Sequence, residues 1–168
     1  MSEADEMLAD AASRSARLAV PDVSARPRRK VAVLACMDTR IDVLTLLGLQ
    51  RGEAHIIRNA GGLVTDDALR SLAVSQRLLS TQEVVVVMHE GCGLLGASDE
   101  AFARTLAADG VDPSWRLGAF DDLKTTLVQS LKRLRTSHEL RAREHIRGFV
   151  FDPSTGTLRD IESSASPE

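Results

Sequence analysis

The sequence predicts one α/β domain: a mostly parallel central sheet flanked by helices, preceded by an N-terminal helical arm. Three observations carry that prediction. The runs Val31–Ala35 and Val84–Met88 are continuously apolar, as strands buried on both faces must be. Strand-like and helix-like segments alternate from residue 31 onward, which is the pattern of a layered α/β fold. The 168 residues amount to one domain at roughly 150 residues each, and no internal repeat or linker divides them.

Residues 1–30 form the expected arm. Met7, Leu8, Ala11 and Leu18 have helical spacing from Met7 to Val20, and Pro21 and Pro27 end it. Arg28, Arg29 and Lys30 read as a solvated lead-in to the first strand. Ile41–Leu49 is a short helix with Thr39 as its cap and Asp42 in its first turn, stopped by Gly48 and Gly52. Ala54–Ile57 is a second strand, followed by a loop at Asn59–Gly62. Thr65 caps a helix that runs through Leu79, with acids at its start and Arg77 near its end. After the Val84–Met88 strand, Ser98 opens a helix that stops at Gly110. Pro113, Trp115 and Gly118 make 111–119 a loop. From about Phe120 to Arg135, Leu123, Leu127, Leu131 and Leu134 share one helix face. Phe149–Phe151, a turn at Asp152–Gly156 and Thr157–Ile161 predict a terminal hairpin or strand. The domain is expected to span 31–162, with 163–168 a disordered tail.

Composition narrows the function. Apolar residues are 43% and charged residues 27%, enough for a real core with a solvated surface. Aromatics are only 3%, with no Tyr, which argues against a base-stacking platform for single-stranded nucleic acid. A net charge of −3 gives no reason for a polyanion partner. No apolar run reaches the ~18–20 residues that span a bilayer. The first ten residues carry acids where a secretory signal carries basic residues, so a cytoplasmic protein is expected.

There are two cysteines, Cys36 and Cys92. One disulfide is possible, but metal ligation or catalysis is the commoner use in a cytosolic chain of this size. Their placement speaks for metal. Cys36-Met37-Asp38-Thr39-Arg40 follows one of the two best strands, and His89-Glu90-Gly91-Cys92-Gly93 follows the other. Ligands of open α/β sheets bind beyond the carboxyl ends of strands at a topological switch point, and neighbouring strands would bring both loops there. A lone buried Cys is ordinarily a small core residue, and a lone His-x-x-Cys has little specificity. Two cysteines and a histidine at one switch point form a tetrahedral zinc set with one position vacant, the mark of a catalytic site. Asp38 and Arg40 could be a helix cap and a surface residue. They could equally be a carboxylate kept ionised by a guanidinium beside the vacant position, able to accept a hydrogen bond from water there.

Cys-x-Asp-x-Arg after a strand, Arg-Asn-Ala-Gly at Arg58–Gly61 and His-x-x-Cys-Gly after a later strand together resemble the β-class carbonic anhydrases. The 53 positions from Cys36 to His89 agree with that family, and the resemblance runs from about Val31 to Ile161. It is closest to the small members with a Cys-Met-Asp-x-Arg loop and an Asn-Ala-Gly-x-x-Val-Thr-Asp-Asp segment, here Asn59 to Asp67. The resemblance implies one zinc ion per chain on Cys36, His89 and Cys92, with Asp38 and Arg40 as a catalytic dyad. Gly61 and Gly93 are candidates for substrate binding. The implied activity is reversible hydration of carbon dioxide to bicarbonate and a proton. The implied partners are that small-molecule substrate and a second copy of the chain, in a homodimer or higher even oligomer, with no nucleic acid or membrane. Two other readings stay open: a hydrolase of carbonyl sulfide or carbon disulfide on the same scaffold, and a non-catalytic zinc-binding protein. Glu90 stands where the family often has Thr, which puts an extra acid beside a ligand.

Overall fold

The computed structural model describes residues 2–9, 11–20 and 22–162. The tail expected at 163–168, and Pro21 as a helix stop, lie outside the described residues. Strands β1 (Val31–Cys36), β2 (Ala54–Asn59), β3 (Glu83–His89), β4 (Ile146–Asp152) and β5 (Thr157–Asp160) form one sheet in the order β2-β1-β3-β4-β5. All neighbours are parallel except β4 and β5, which form the terminal antiparallel hairpin. The chain moves from β1 outward to β2, then crosses back to lay β3 on the other side of β1. The carboxyl ends of β1 and β3 are therefore the switch point, and Cys36 and His89 are the last residues of those strands.

Continuous apolar runs produced the two central strands for a physical reason. Ala32, Val33, Leu34 and Ala35 are fully buried, as are Val86, Val87 and Met88, so neither strand has a face that could carry polar residues. Helix α4 (Asp66–Leu79) packs on β1 and β2 through Ala68, Leu69 and Leu72. Helix α6 (Leu123–Thr136) packs on β3 and β4 through Leu127, Leu131 and Leu134. Gly148 in β4 permits that approach. A Cβ there would lie 2.9 Å from Leu131 Cδ1 and 3.1 Å from Leu127 Cδ1, so a larger residue would force these buried leucines to shift. The helices adjoin one another, with the Arg133 guanidinium donating to the Val64 carbonyl and the Asp66 carboxylate.

Several boundaries differ from the expected ones. Helix α3 is only Val43–Leu46 and is capped by Asp42, not Thr39, with Asp42 Oδ1 accepting from Thr45 N–H. The preceding residues are committed elsewhere, since Ile41 N–H closes a turn onto the Asp38 carbonyl and helical geometry cannot begin before it. Asn59–Gly62 is not plain loop: β2 continues to Asn59 and a 3₁₀ turn occupies Ala60–Gly62. Thr65 and Ser98 cap α4 and α5 (Asp99–Ala108) as expected. Among the described residues of the arm, α1 (Glu3–Ala9) and α2 (Ala11–Leu18) are helical, so helix begins before the expected Met7 and ends before Val20. Glu3, Asp5 and Glu6 in the first turn of α1 favour the earlier start. Met7, Leu8 and Leu18 on this arm are mostly exposed. No helix among the described residues is long and apolar enough to cross a membrane.

Glu53, just before β2, is buried and accepts from Arg28 Nη2 at 2.5 Å and from Gln50 N–H at 2.9 Å. The Arg28 contact, then the Gln50 N–H, hold its carboxyl down from 4.5 to about 2. A carboxyl whose pKa is lower in the folded chain adds stability above its unfolded pKa, and loses it as pH falls through the folded value. Glu53→Gln should therefore lower the thermal midpoint at pH 7. The gap to the wild type should close as pH drops from about 4.5 toward 2, as followed by circular dichroism melts.

Candidate metal centre

The three predicted ligands meet. One Cys36 sulfur, one Cys92 sulfur and one His89 ring nitrogen all lie within 4.8 Å of one another, and all three residues are buried. Zinc with bonds of about 2.0–2.3 Å would need ligand atoms roughly 3.5–3.8 Å apart, so the set requires only a small closure. His89 provides the sharpest test of fit. Its side chain is fully buried, its Nδ1 lies 3.0 Å from the Glu90 carbonyl, and its Nε2 has no hydrogen-bond partner among the described residues. A carbonyl can only accept, so Nδ1 carries the proton and Nε2 presents a bare lone pair to the cysteines. A buried nitrogen left without a partner costs stability unless something fills its coordination. A metal cation does so, and the backbone carbonyl behind the ring supplies the orienting contact that metal-bound histidines require.

Burial pushes the Cys92 thiol above its ordinary range, with the neighbouring Cys36 adding to the effect and the Leu94 N–H opposing it. Without a cation the thiol keeps its proton, and a bound cation would reverse that. Both cysteines are free.

Asp38 and Arg40 form the expected pair beside this cluster. Asp38 Oδ1 accepts from Arg40 N–H and from Arg40 Nε, each at 2.9 Å, and Oδ2 accepts from Arg40 Nη2 at 2.8 Å. The side-chain contacts first, then the backbone N–H, hold the Asp38 carboxyl far below the usual carboxylate range. Its Oδ2 lies 3.8 Å from His89 Nε2, so this oxygen faces the cluster. Arg40 Nη2 also donates to the Gly91 carbonyl at 3.0 Å and so ties the two loops together. That second contact separates a site residue from a surface arginine.

The glycines behave differently from one another. Gly61 sits in the 3₁₀ turn at positive φ, where a Cβ would meet Leu94 and Leu63 side chains at 3.0–3.1 Å. Gly93 is exposed with open space around it. The glycine that shapes the site is Gly62, which sequence reading passed over. At φ +65° a Cβ would fall 2.9 Å from the Val87 carbonyl oxygen and 3.0 Å from the Cys36 nitrogen. The turn thus seats its backbone directly on the ends of β1 and β3. Asn59 holds that turn by donating to the Leu63 carbonyl at 2.7 Å, while its buried Oδ1 has no partner among the described residues. Glu90 also departs from expectation. Its carboxylate accepts from Arg159 Nη2 on β5 at 2.6 Å, so its charge is engaged at the sheet edge.

Comparisons with known proteins bear on the family of the chain as a whole. The family model described as carbonic anhydrase matches residues 31–152. Beta-carbonic anhydrase 1 of Mycobacterium tuberculosis is 43% identical over 136 residues, covering 80% of this chain and 83% of its own. A carbon disulfide hydrolase of Acidithiobacillus thiooxidans is 32% identical over 152 residues, covering 78% of this chain and 76% of its own. Among solved structures, a carbonic anhydrase from Streptococcus mutans superposes with a TM-score of 0.88 at 33% identity, over 96% of this chain and 98% of its own.

Proposed function

We propose, for a chain that belongs to the β-carbonic anhydrase family, reversible hydration of carbon dioxide to bicarbonate and a proton at a zinc ion held by Cys36, His89 and Cys92. The observation that carries the reading is the bare, buried Nε2 of His89 facing two buried cysteines, with a fixed carboxylate beside it. Two sulfur donors and one imidazole suit zinc over magnesium or calcium. A zinc ion held by Cys36, His89 and Cys92 would supply a water nucleophile of near-neutral pKa, as is well established for carbonic anhydrases with three histidine ligands.

The chain's own residues supply position. Asp38 Oδ2 faces the cluster and can accept one hydrogen of the attacking water, which fixes where that water's lone pair points. Arg40 keeps the carboxylate ionised and prevents it from turning. Because the Asp38 pKa is so depressed, the carboxylate cannot keep a proton near neutral pH; it orients and does not store. The proton must pass to solvent. His55 pairs with Ala32 near the start of β1, and His145 directly precedes β4. Both stand at the amino end of the parallel sheet, away from the site. His55 is further bound between Ser75 Oγ at 2.7 Å and the Ala25 carbonyl at 2.9 Å.

The relative named carbon disulfide hydrolase keeps a second substrate class in view. Stopped-flow rates for carbon dioxide, carbonyl sulfide and carbon disulfide, measured on one zinc-loaded preparation, separate the two. The expected result is a kcat/KM for carbon dioxide at least about 100-fold above the sulfur compounds. The reverse order would assign the chain to hydrolysis of the sulfur compounds. The assembly we propose is a homodimer or larger even oligomer, supported by the exposed Met7, Leu8 and Leu18 of the arm. Sedimentation showing only an 18.2 kDa species at micromolar concentration would contradict it.

A further inference from the structure

We infer that Arg58 is a positioning residue for the reaction, acting through the backbone of the loop that carries Cys36 and Asp38. The inference rests on the hydration reading above. Arg58 lies on β2, opposite Ala35 in register and one residue before the partner of Cys36. Its Nε donates to the Cys36 carbonyl at 3.0 Å, and its Nη2 donates to the Asp38 carbonyl at 2.6 Å. One edge of one planar guanidinium therefore spans the two carbonyls that bracket the ligand loop.

The loop needs such a holder. Met37, between the two clamped residues, is 63% exposed and adds little packing. The other restraints are few among the described residues: Met37 N–H on the Asn59 carbonyl, Ile41 N–H on the Asp38 carbonyl, the Asp38–Arg40 pair, and Arg40 Nη2 on the Gly91 carbonyl. The Arg40 pair fixes which way the Asp38 carboxylate faces. It does not fix how far the Asp38 backbone stands from Cys36. The Arg58 fork does, because both carbonyls must fit one rigid set of donors. The separation between the Cys36 sulfur and the Asp38 carboxylate is thus set from β2, by a residue that touches neither. Lysine offers a single point donor and can serve only one carbonyl at a time.

The test uses the full-length chain with Arg58→Ala and Arg58→Lys, each loaded with zinc for kinetics and with cobalt(II) for absorption spectra. A misplacement of about 1 Å near reacting groups can cost on the order of 100-fold. Arg58→Ala should lower kcat at least tenfold with KM for carbon dioxide changed less than about threefold. The cobalt d–d bands should change in shape, because the Cys36 ligand loop has relaxed. Millimolar guanidinium should restore part of the lost kcat in Arg58→Ala and leave the wild type unchanged. Arg58→Lys should fall between the two. Wild-type kcat in Arg58→Ala would overturn the inference. So would a lowered kcat with an unaltered cobalt spectrum and no response to guanidinium, since that is a stability defect alone. If Arg58→Ala does not fold, Arg58→Lys decides: a kcat lowered about threefold or more with altered cobalt bands supports the clamp, and any smaller loss or an unaltered spectrum refutes it. A wild type that binds metal without hydrating carbon dioxide would refute the hydration reading, while the cobalt spectra of the variants would still decide the role of Arg58.

Discussion

Cys92→Ala is expected to lose zinc. Replacing a residue that merely orients a metal ligand weakens metal binding by about 10–100-fold, so removing a ligand should cost more than about 100-fold. The purified variant should hold a small fraction of one zinc per chain and show no hydration above buffer. It should stay folded, because the buried sulfur is replaced by a smaller apolar group at the end of a loop and not in the sheet. The wild type should also bind zinc more tightly as pH rises. Burial raises the Cys92 thiol, so at neutral pH a proton must leave before the metal can bind, and each step up in pH eases that release. Stoichiometric zinc in Cys92→Ala, measured by elemental analysis, would remove this residue from the ligand set.

Asp38→Asn should leave zinc in place and slow turnover. Asparagine has the same shape but no charge, and its amide presents two hydrogens where the carboxylate could only accept. The variant can no longer guarantee an acceptor facing the attacking water, and the grip of Arg40 weakens. A loss on the order of 100-fold in kcat is expected. Arg40→Ala should behave similarly, since it frees the carboxylate and also unties Gly91 from the first loop. The melting midpoint should move little in either case, because Arg40 is half exposed and such pairs contribute little stability. Near-wild-type kcat in Asp38→Asn would reduce the pair to a surface contact.

Much of this was legible in the sequence because burial leaves a strong mark. A strand buried on both faces has no polar positions, so Val31–Ala35 and Val84–Met88 announced the two central strands and, with them, the switch point. Cys36 and His89 end those strands, so their meeting followed from topology. The less visible features depend on contacts between distant segments. Arg58 stands out in the sequence only as part of the Arg-Asn-Ala-Gly motif, and only when β2 is placed beside β1 do its donors find the carbonyls at 36 and 38. The motif drew attention to Gly61, yet it is Gly62 that lies against the strand ends, a placement no local pattern shows. Glu90 looked like an acid aimed at the metal, because nothing in the sequence pairs it with Arg159, 69 residues on. Thr39 looked like a helix cap because capping is local, whereas here the Asp38–Arg40 pair and the turn at Ile41 take over that stretch of chain.

The most direct test of the account is one stopped-flow series on carbon dioxide hydration, run on the wild-type chain as zinc is removed by a chelator and then restored. The rate should fall to that of buffer when the metal leaves and return in proportion to the zinc added back, saturating at one equivalent per chain. A folded, zinc-replete protein that hydrates carbon dioxide no faster than buffer, or a rate that does not follow the metal, would contradict it.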